Sequence, residues 1–363
     1  MGDENHLITH HPSPKMHCHL LIPTLFPPGA NTPENDPLHG AHAPALESML
    51  ARGKPAHSPE SEMESWLCER FGIPSQPGYP SSYPIAPLGL LAEGIAPEGA
   101  AWIRSDPVFL TVERDQLILA EASSLPVDAQ EAQALIATLN QHFSEDGLEF
   151  VAASPKSWYL RLSRLPAIAT RSLHEVAGQN IHAYLPTGAD ARQFRSLLNE
   201  AQMLLFGHPV NLAREQRGLP PVNSIWLWGE GILPQTAMKN FDHIWSADSL
   251  ATGLSLLSGA VSHPLPAGAD DFLSQKNDGK NLIVLDQLRT AWHNDDPFIW
   301  REQLAALDKN WFAPLKRAVL KGKLQLTLHA PSSSGTSSFA VRRQSLLRFW
   351  LPKRRLIHYR EKT

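Results

Sequence analysis

The sequence predicts an α/β fold. Segments with apolar residues at helical spacing alternate along the chain with short alternating or wholly apolar runs, the pattern of a sheet covered by helices. The 363 residues, 42% apolar and 19% charged, suffice for one large core or two domains. No internal repeat interrupts this alternation.

Residues 1–15 are polar and rich in His and Pro, and read as a disordered tail. His17 to Ile22 reads as a first strand ended by Pro23, and Pro27 to His42 as a loop rich in Pro, Asn and Gly. A second Pro/Ser/Tyr loop runs from Pro74 to Pro87. Gln116 to Ala120 is the next strand. Asp128 with Glu131 forms a capping-box start, followed by Leu135, Ile136, Leu139 and Phe143 at helical spacing. Trp158 to Leu162 alternates as a half-buried strand. A helix from about Asp190 carries Phe194, Leu197, Leu198, Ala201, Leu204 and Leu205 on one face. Ser224 to Trp228 is an apolar strand running into Gly229-Glu230-Gly231. Ser246 is placed to cap a helix with Leu250, Leu254 and Leu257, closed by Gly259. Asn281 to Asp286 has a buried-strand pattern, Asp296-Pro297 is an N-cap and N1 pair, and Lys323 to His329 alternates its leucines on one face.

A net charge of −4 gives no general attraction to nucleic acid or anionic membranes. Two cysteines cannot make a disulfide framework and suit a reducing compartment. The start Met-Gly-Asp-Glu lacks the basic region of a signal peptide, and no apolar run is long enough to span a bilayer, so a cytoplasmic location without membrane contact is expected. His6, His10, His11, His17 and His19 with Cys18 do not match structural zinc spacing; the sequence predicts no metal there. Arg342, Arg343, Arg348, Lys353, Arg354, Arg355 and Arg360 surround Leu346, Leu347, Phe349 and Trp350. That stretch reads either as a basic surface for an acidic partner or as a docked terminal helix with a solvated face. It carries no nucleic-acid motif, so a nucleic-acid partner is not expected.

Several segments resemble the archaeal-type cofactor-independent phosphoglycerate mutases of the alkaline phosphatase superfamily. Pro44 to Gly53 is similar to that family's early helix. Ile85 to Ile95 and Ala101 to Asp106 are similar to two stretches that follow it. His208-Pro209-Val210-Asn211-Leu212-Ala213-Arg214, then Gly218, then Asn223 to Gly231, resembles H-P-x-N-x-x-R followed by A-N-x-I-W-x-W-G-x-G. The likeness spans most of residues 44–335. Trp102 to Leu110, Trp158-Tyr159-Leu160-Arg161 and the Trp226 to Gly229 segment resemble a bacterial branch called RpfE-type regulatory proteins more closely still.

The resemblance implies an alkaline-phosphatase-like core, residues 16–110 and 223–363, with a smaller inserted α/β domain at 111–222. It also implies two divalent metals held by Asp and His around a nucleophilic serine, with manganese or a similar ion as cofactor. This chain departs from that pattern. Where the first strand should end in a metal-binding Asp-Gly it reads Leu21-Ile22-Pro23-Thr24, and the C-terminal acidic motif has become Ala330-Pro331-Ser332-Ser333-Ser334-Gly335-Thr336. Asp242-His243 is out of place for a ligand pair. No metal ligand and no cofactor are therefore expected, and a non-catalytic, regulatory-type relative is the expected function. The alternatives are a metal-dependent phosphomutase or phosphatase with a rebuilt site, and an interaction module acting through the basic C-terminal helix. Ser61, where the family has P-G-S-D, is the candidate nucleophile. Arg104, His208, Asn211, Arg214, Asn223 and Trp228 are the candidate ligand-binding residues, for a small anionic ligand with Arg214 as fork donor. In the other reading of these groups, Asn and His bond loop backbone, and Arg214 and Arg104 pair with carboxylates.

Overall fold

The computed structural model describes residues 16–30, 32–60, 62–79, 82–113, 115–120, 125–275, 277–293, 296–332, 334–348 and 350–360. The expected tail (1–15) and Ser61 lie outside them.

The strands are, in chain order, β1 (Met16–Leu21), β2 (Lys54–Ser58), β3 (Ala101–Val108), β4 (Leu110–Glu113), β5 (Gln116–Leu119), β6 (Glu149–Ser154), β7 (Ser157–Leu162), β8 (Ser224–Ile232), β9 (His243–Trp245), β10 (Val261–His263), β11 (Gly279–Val284), β12 (Leu324–Ser332) and β13 (Gly335–Val341). The α-helices are α1 (Pro44–Arg52), α2 (Met63–Arg70), α3 (Ile85–Ala92), α4 (Ala129–Phe143), α5 (Leu173–Val176), α6 (Ala191–Phe206), α7 (Pro209–Gln216), α8 (Ser249–Ser258), α9 (Ala269–Ser274), α10 (Gln287–His293), α11 (Pro297–Leu307), α12 (Ala313–Leu320) and α13 (Arg343–Leu346).

The large sheet has seven strands in the order β10-β9-β11-β1-β12-β13-β2. The first five run parallel, and β13 and β2 add an antiparallel edge. Helices cover both faces, so the central strands bury both sets of side chains: Cys18, Leu20 and Leu21 of β1 and Leu282, Ile283 and Val284 of β11 are all inside. Edge strand β2, Lys-Pro-Ala-His-Ser, is mostly exposed and has no apolar pattern from which to read it. The five parallel strands send their C-terminal ends to one rim. Thr24 follows β1, Ser246 and Asp248 follow β9, Asp286 follows β11, and His329 to Ser332 close β12. In parallel α/β sheets that rim is where ligands bind.

The second sheet is antiparallel, β6-β7-β3-β8. Helices α4 and α6 pack on it through Leu135, Leu139, Phe194 and Leu197 against Ile103, Phe150, Leu160 and Leu227. Strands β3 and β8, which flank the expected insertion at 111–222, pair with each other inside this smaller sheet. Helix α3 presses against α8 so closely that a Cβ on Gly253 would lie 2.0 Å from the Leu88 carbonyl oxygen.

Most caps are local and follow the sequence. Glu131 N–H donates to Asp128 Oδ1 at 2.8 Å and Phe298 N–H to Asp296 Oδ1 at 2.8 Å. Gly259 closes α8 in the left-handed region, φ 69°. Two expectations need correction. The N-cap of α8 is Asp248, which accepts from Ala251 N–H at 2.9 Å, while Ser246 Oγ accepts from the Asp248 N–H. The basic C-terminal stretch is not a helix. Among its described residues it holds the single turn α13 and a 3-10 turn at Leu356–Tyr359, separated by Pro352, which blocks helical continuation. Leu346 and Leu356 anchor it in the core, and Arg360 holds Asp36 through its two terminal guanidinium nitrogens at 2.6 and 2.7 Å.

Candidate functional site

At the rim of the parallel strands, carboxylates gather around one guanidinium. Glu62 and Glu64 come from the start of α2, Asp248 from the cap of α8, Asp286 from the turn after β11, and Arg289 from the first turn of α10. Arg289 Nη2 lies 2.8 Å from Glu64 Oε1, and the two side chains are only 11% and 9% exposed. Burial raises the Asp248 carboxyl to about 6 and Asp286 above its ordinary range, and Arg289 lies near enough to both to favour their charged forms. Burial, then the charges of Glu64 and Glu175, raise Glu62 to about 8. Glu62 therefore holds a proton at neutral pH.

Two cavities open beside this cluster and share Glu62, Ser172 and Glu175 as walls. The larger, about 390 Å³, lies between α2 and the smaller sheet, with Glu60, Glu64, Tyr83, Thr170, Arg171 and Trp228 in its lining. Behind two of its lining residues lies Glu230, a buried carboxyl raised by that burial, to which Ser82 Oγ and Thr170 Oγ1 both donate. The second, about 320 Å³, is bounded by Thr24, Met63, Arg289, Pro331, Ser332 and Arg360. Thr24 sits in the left-handed region, φ 59°. A β-branched residue there is strained, and such strain concentrates at functional sites.

The sequence-predicted ligand residues are placed differently. Arg214 is 0% exposed; Nε donates to Pro220 O at 2.9 Å, Nη1 to Pro126 O at 2.7 Å, and the guanidinium pairs with Glu131. Asn211 bonds Leu205 O, Val222 O and Val222 N–H at 2.7–2.8 Å. Asn223 bridges both backbone groups of Leu110 at 2.8 and 2.9 Å. His208 Nδ1 accepts from Val210 N–H, and its Nε2 meets Thr138 Oγ1 at 3.0 Å. Arg104 forks onto Asp106 at 2.7 and 2.9 Å and lies 5.1 Å from the centres of the Tyr159 and Trp228 rings. These five groups brace loops and the smaller sheet, and none lines either large cavity; of the six, Trp228 alone does, with its indole N–H on Asp106 Oδ2 at 2.7 Å.

Two divalent metals do not fit the groups at this rim. Thr24 offers no carboxylate, and the surviving histidine, His329, is buried and bonded to His19 (3.0 Å) and Ser338 (2.8 Å). Burial lowers His19 to about 4 and His329 to about 3, so both rings are neutral. Asp242 accepts from Lys280 N–H, and His243 meets His263 at 3.1 Å, away from this rim at the N-terminal edge of β9. Among the described residues, no group of three His, Cys, Asp or Glu is placed to hold a metal ion. Both cysteines are buried and unpaired with each other. No helix among the described residues is long and apolar enough to cross a membrane.

The sequence reading missed Glu62, Glu64, Asp248, Asp286, Arg289 and Glu175. The acidic run around Ser61 was a signal, but nothing local joins it to Asp248 or Arg289.

Comparison with known proteins agrees with this architecture. The family model for 2,3-bisphosphoglycerate-independent phosphoglycerate mutase matches residues 87–211. An enzyme of that name from Methanosarcina acetivorans is 27% identical over 271 residues, covering 70% of this chain and 65% of the relative. One from Methanothrix thermoacetophila is 35% identical over 122 residues, 32% of this chain and 30% of the relative. The chain thus spans just under two thirds of the curated relatives it matches at greatest length. A solved protein from Pyrococcus horikoshii superposes with a TM-score of 0.55 at 14% identity, over 90% of this chain and 87% of that one. The chain is related to the cofactor-independent phosphoglycerate mutases, and its fold is the alkaline-phosphatase-like α/β architecture.

Proposed function

We propose that this relative of the cofactor-independent phosphoglycerate mutases is a regulatory-type branch, of the RpfE kind, whose cleft binds a small molecule without transferring phosphate. The observation that carries this reading is Arg289. Its guanidinium stands among the rim carboxylates, paired with Glu64 at 2.8 Å, and supplies the positive charge that an acidic rim needs. A fixed guanidinium compensates carboxylates, but it cannot lower the pKa of a bound water or activate a serine as a divalent metal does. Thr24 and Ser332, at the ends of β1 and β12, are weak ligands for a hard cation.

The test is the metal content of the purified full chain together with a phosphoglycerate mutase assay in added manganese. No stoichiometric metal and no turnover are expected. Turnover that disappears in Ser61→Ala would restore the alternative reading, a metal-dependent mutase with a rebuilt site, which the names of the relatives favour.

A further inference from the structure

We propose that the basic C-terminal stretch, with α1 and α12 beside it, is a docking surface for an anionic membrane leaflet. The net charge of −4, which gave no reason to expect membrane contact, is an average over a segregated chain: residues 313–360 hold eleven Lys and Arg and no Asp or Glu. Of these eleven, only Arg317 and Arg360 meet a carboxylate among the described residues, and the Arg317 contact is a 4.0 Å approach between two well exposed side chains. A positive excess confined to one face attracts an anionic surface even when the whole molecule is acidic, because salt screens the more distant charges.

Folding gathers these cations from separate segments. Arg52 ends α1, and its Nε donates to Arg348 O at 3.0 Å. Lys316 of α12 has its pKa lowered by burial and then by the charges of Lys353 and Arg52. Arg343, in α13, lies beside Gly322 just after α12, where an added Cβ would stand 3.9 Å from its Nη1. Lys353 and Arg355 are within electrostatic range of Glu47. Glu47 and the neighbouring Asp308 are both buried, and Asp308 accepts from Ala45 and Leu46 N–H, so the surface above them stays positive. Arg52 and Arg343 flank the start of β2 and the end of β13, the opposite end of the sheet from the cleft. A leaflet docked here leaves the cleft open, whatever the cleft binds.

Charge alone suits an acidic protein or a nucleic acid equally well; Leu347 and Trp350 select lipid. They are 55% and 68% exposed, in the middle of the basic stretch. Leu347 N–H donates to Arg343 O and Leu351 N–H to Arg348 O, each at 3.2 Å, so the two apolar side chains stand on consecutive turns. Leu346 and Leu356, both in the core, hold the stretch on either side, and the pair is presented from an anchored segment. An aliphatic side chain gains little from a phosphodiester backbone, and a purely ionic protein contact has no use for one. The interfacial layer of a bilayer takes up Leu and Trp at the level where its anionic headgroups meet Arg and Lys. Lasting peripheral attachment needs two such signals, and this face carries both.

The experiment is cosedimentation of the full chain with vesicles of phosphatidylcholine alone and of phosphatidylcholine with about one third phosphatidylserine. Binding to the anionic vesicles, reversed by about 0.5 M sodium chloride, is expected, with none to the neutral ones. The triple variant Lys353→Gln, Arg354→Gln, Arg355→Gln is expected to bind about a hundredfold more weakly, at about fivefold for each exposed cation. The double variant Leu347→Ser, Trp350→Ser is expected to lose about tenfold. All five side chains are exposed, and thermal unfolding at the wild-type temperature shows that both variants are folded. Equal binding to the two vesicles, or to neither, would overturn the proposal. Anionic binding unchanged in the double variant would do the same, since it marks a purely ionic surface. Retention of double-stranded DNA by a wild type that ignores vesicles would assign the face to nucleic acid instead.

Discussion

Replacing Arg289 with alanine is the most direct probe of the acidic rim. Arg289 is the partner of Glu64, and both side chains are about nine-tenths buried. Its removal strands a buried carboxylate, and losing one partner of such a pair costs about 3–5 kcal/mol. Asp248, Asp286 and Glu62 also lose a cation that favours their charged forms. Those three already stand above their ordinary range, so in the folded variant they rise further. A carboxyl raised on folding is neutral and harmless below its unfolded pKa, and its penalty grows as pH climbs through the folded value. The deficit of Arg289→Ala is therefore expected to be larger at pH 8 than near pH 5. Urea denaturation of both proteins at the two pH values measures it. Manganese is expected to raise the midpoint of the variant, whose carboxylates then have room for a cation, and to leave the wild type unchanged. The paired replacement Glu64→Gln with Arg289→Met is expected to recover much of the loss, because both buried charges go together. A variant within about 0.5 kcal/mol of wild type at pH 8 would show the rim to be solvated. Stabilisation of the wild type by manganese would show that the guanidinium does not exclude a metal. Either result refutes the account of Arg289 given above.

Arg214→Ala is expected to lower the denaturation midpoint by an amount equivalent to about 3 kcal/mol, since it breaks a buried pair with Glu131 and two bonds to carbonyl groups. Ligand binding measured calorimetrically should not change, because Arg214 lines neither cavity; a selective loss of binding with stability intact would return it to the ligand site. His19 and His329 are neutral in the fold, at about 4 and about 3, and titrate near 6.5 when unfolded. A histidine lowered on folding contributes fully above its unfolded pKa, so stability from this pair should fall as pH drops from about 6.5 towards 4. His329→Gln should flatten that limb of an acid-denaturation curve, and an unchanged limb would assign the acid sensitivity elsewhere.

The sequence by itself determined the interleaving of helices and strands, because hydrophobic period and capping are local. Asp128 with Glu131, Asp296 with Pro297 and Gly259 each mark a helix end through bonds to residues three or four positions away. It also shows, residue by residue, that Thr24 and the serines near Pro331 offer hydroxyl groups and no carboxylate. Where local signals fail, the elements were misplaced or missed. Strand β2 shows no apolar pattern and exists because β13 pairs with it. The basic C-terminal stretch looked helical in composition, yet its turns are set by Pro352 and by burial of Leu346 and Leu356.

Only the tertiary structure decided which polar residues form a site. Arg214, Asn211 and Asn223 stand in a motif that resembles a ligand loop, but their partners are a glutamate 83 residues away in sequence and backbone groups that folding delivers. Glu64 and Arg289 meet across 225 positions, from the starts of α2 and α10 at a common rim. Burial then separates their fates from those of identical residues on the surface. A carboxylate's pKa and its need for a partner depend on how much water remains around it and which charges stand within a few ångströms. Neither quantity exists until the strands are ordered side by side.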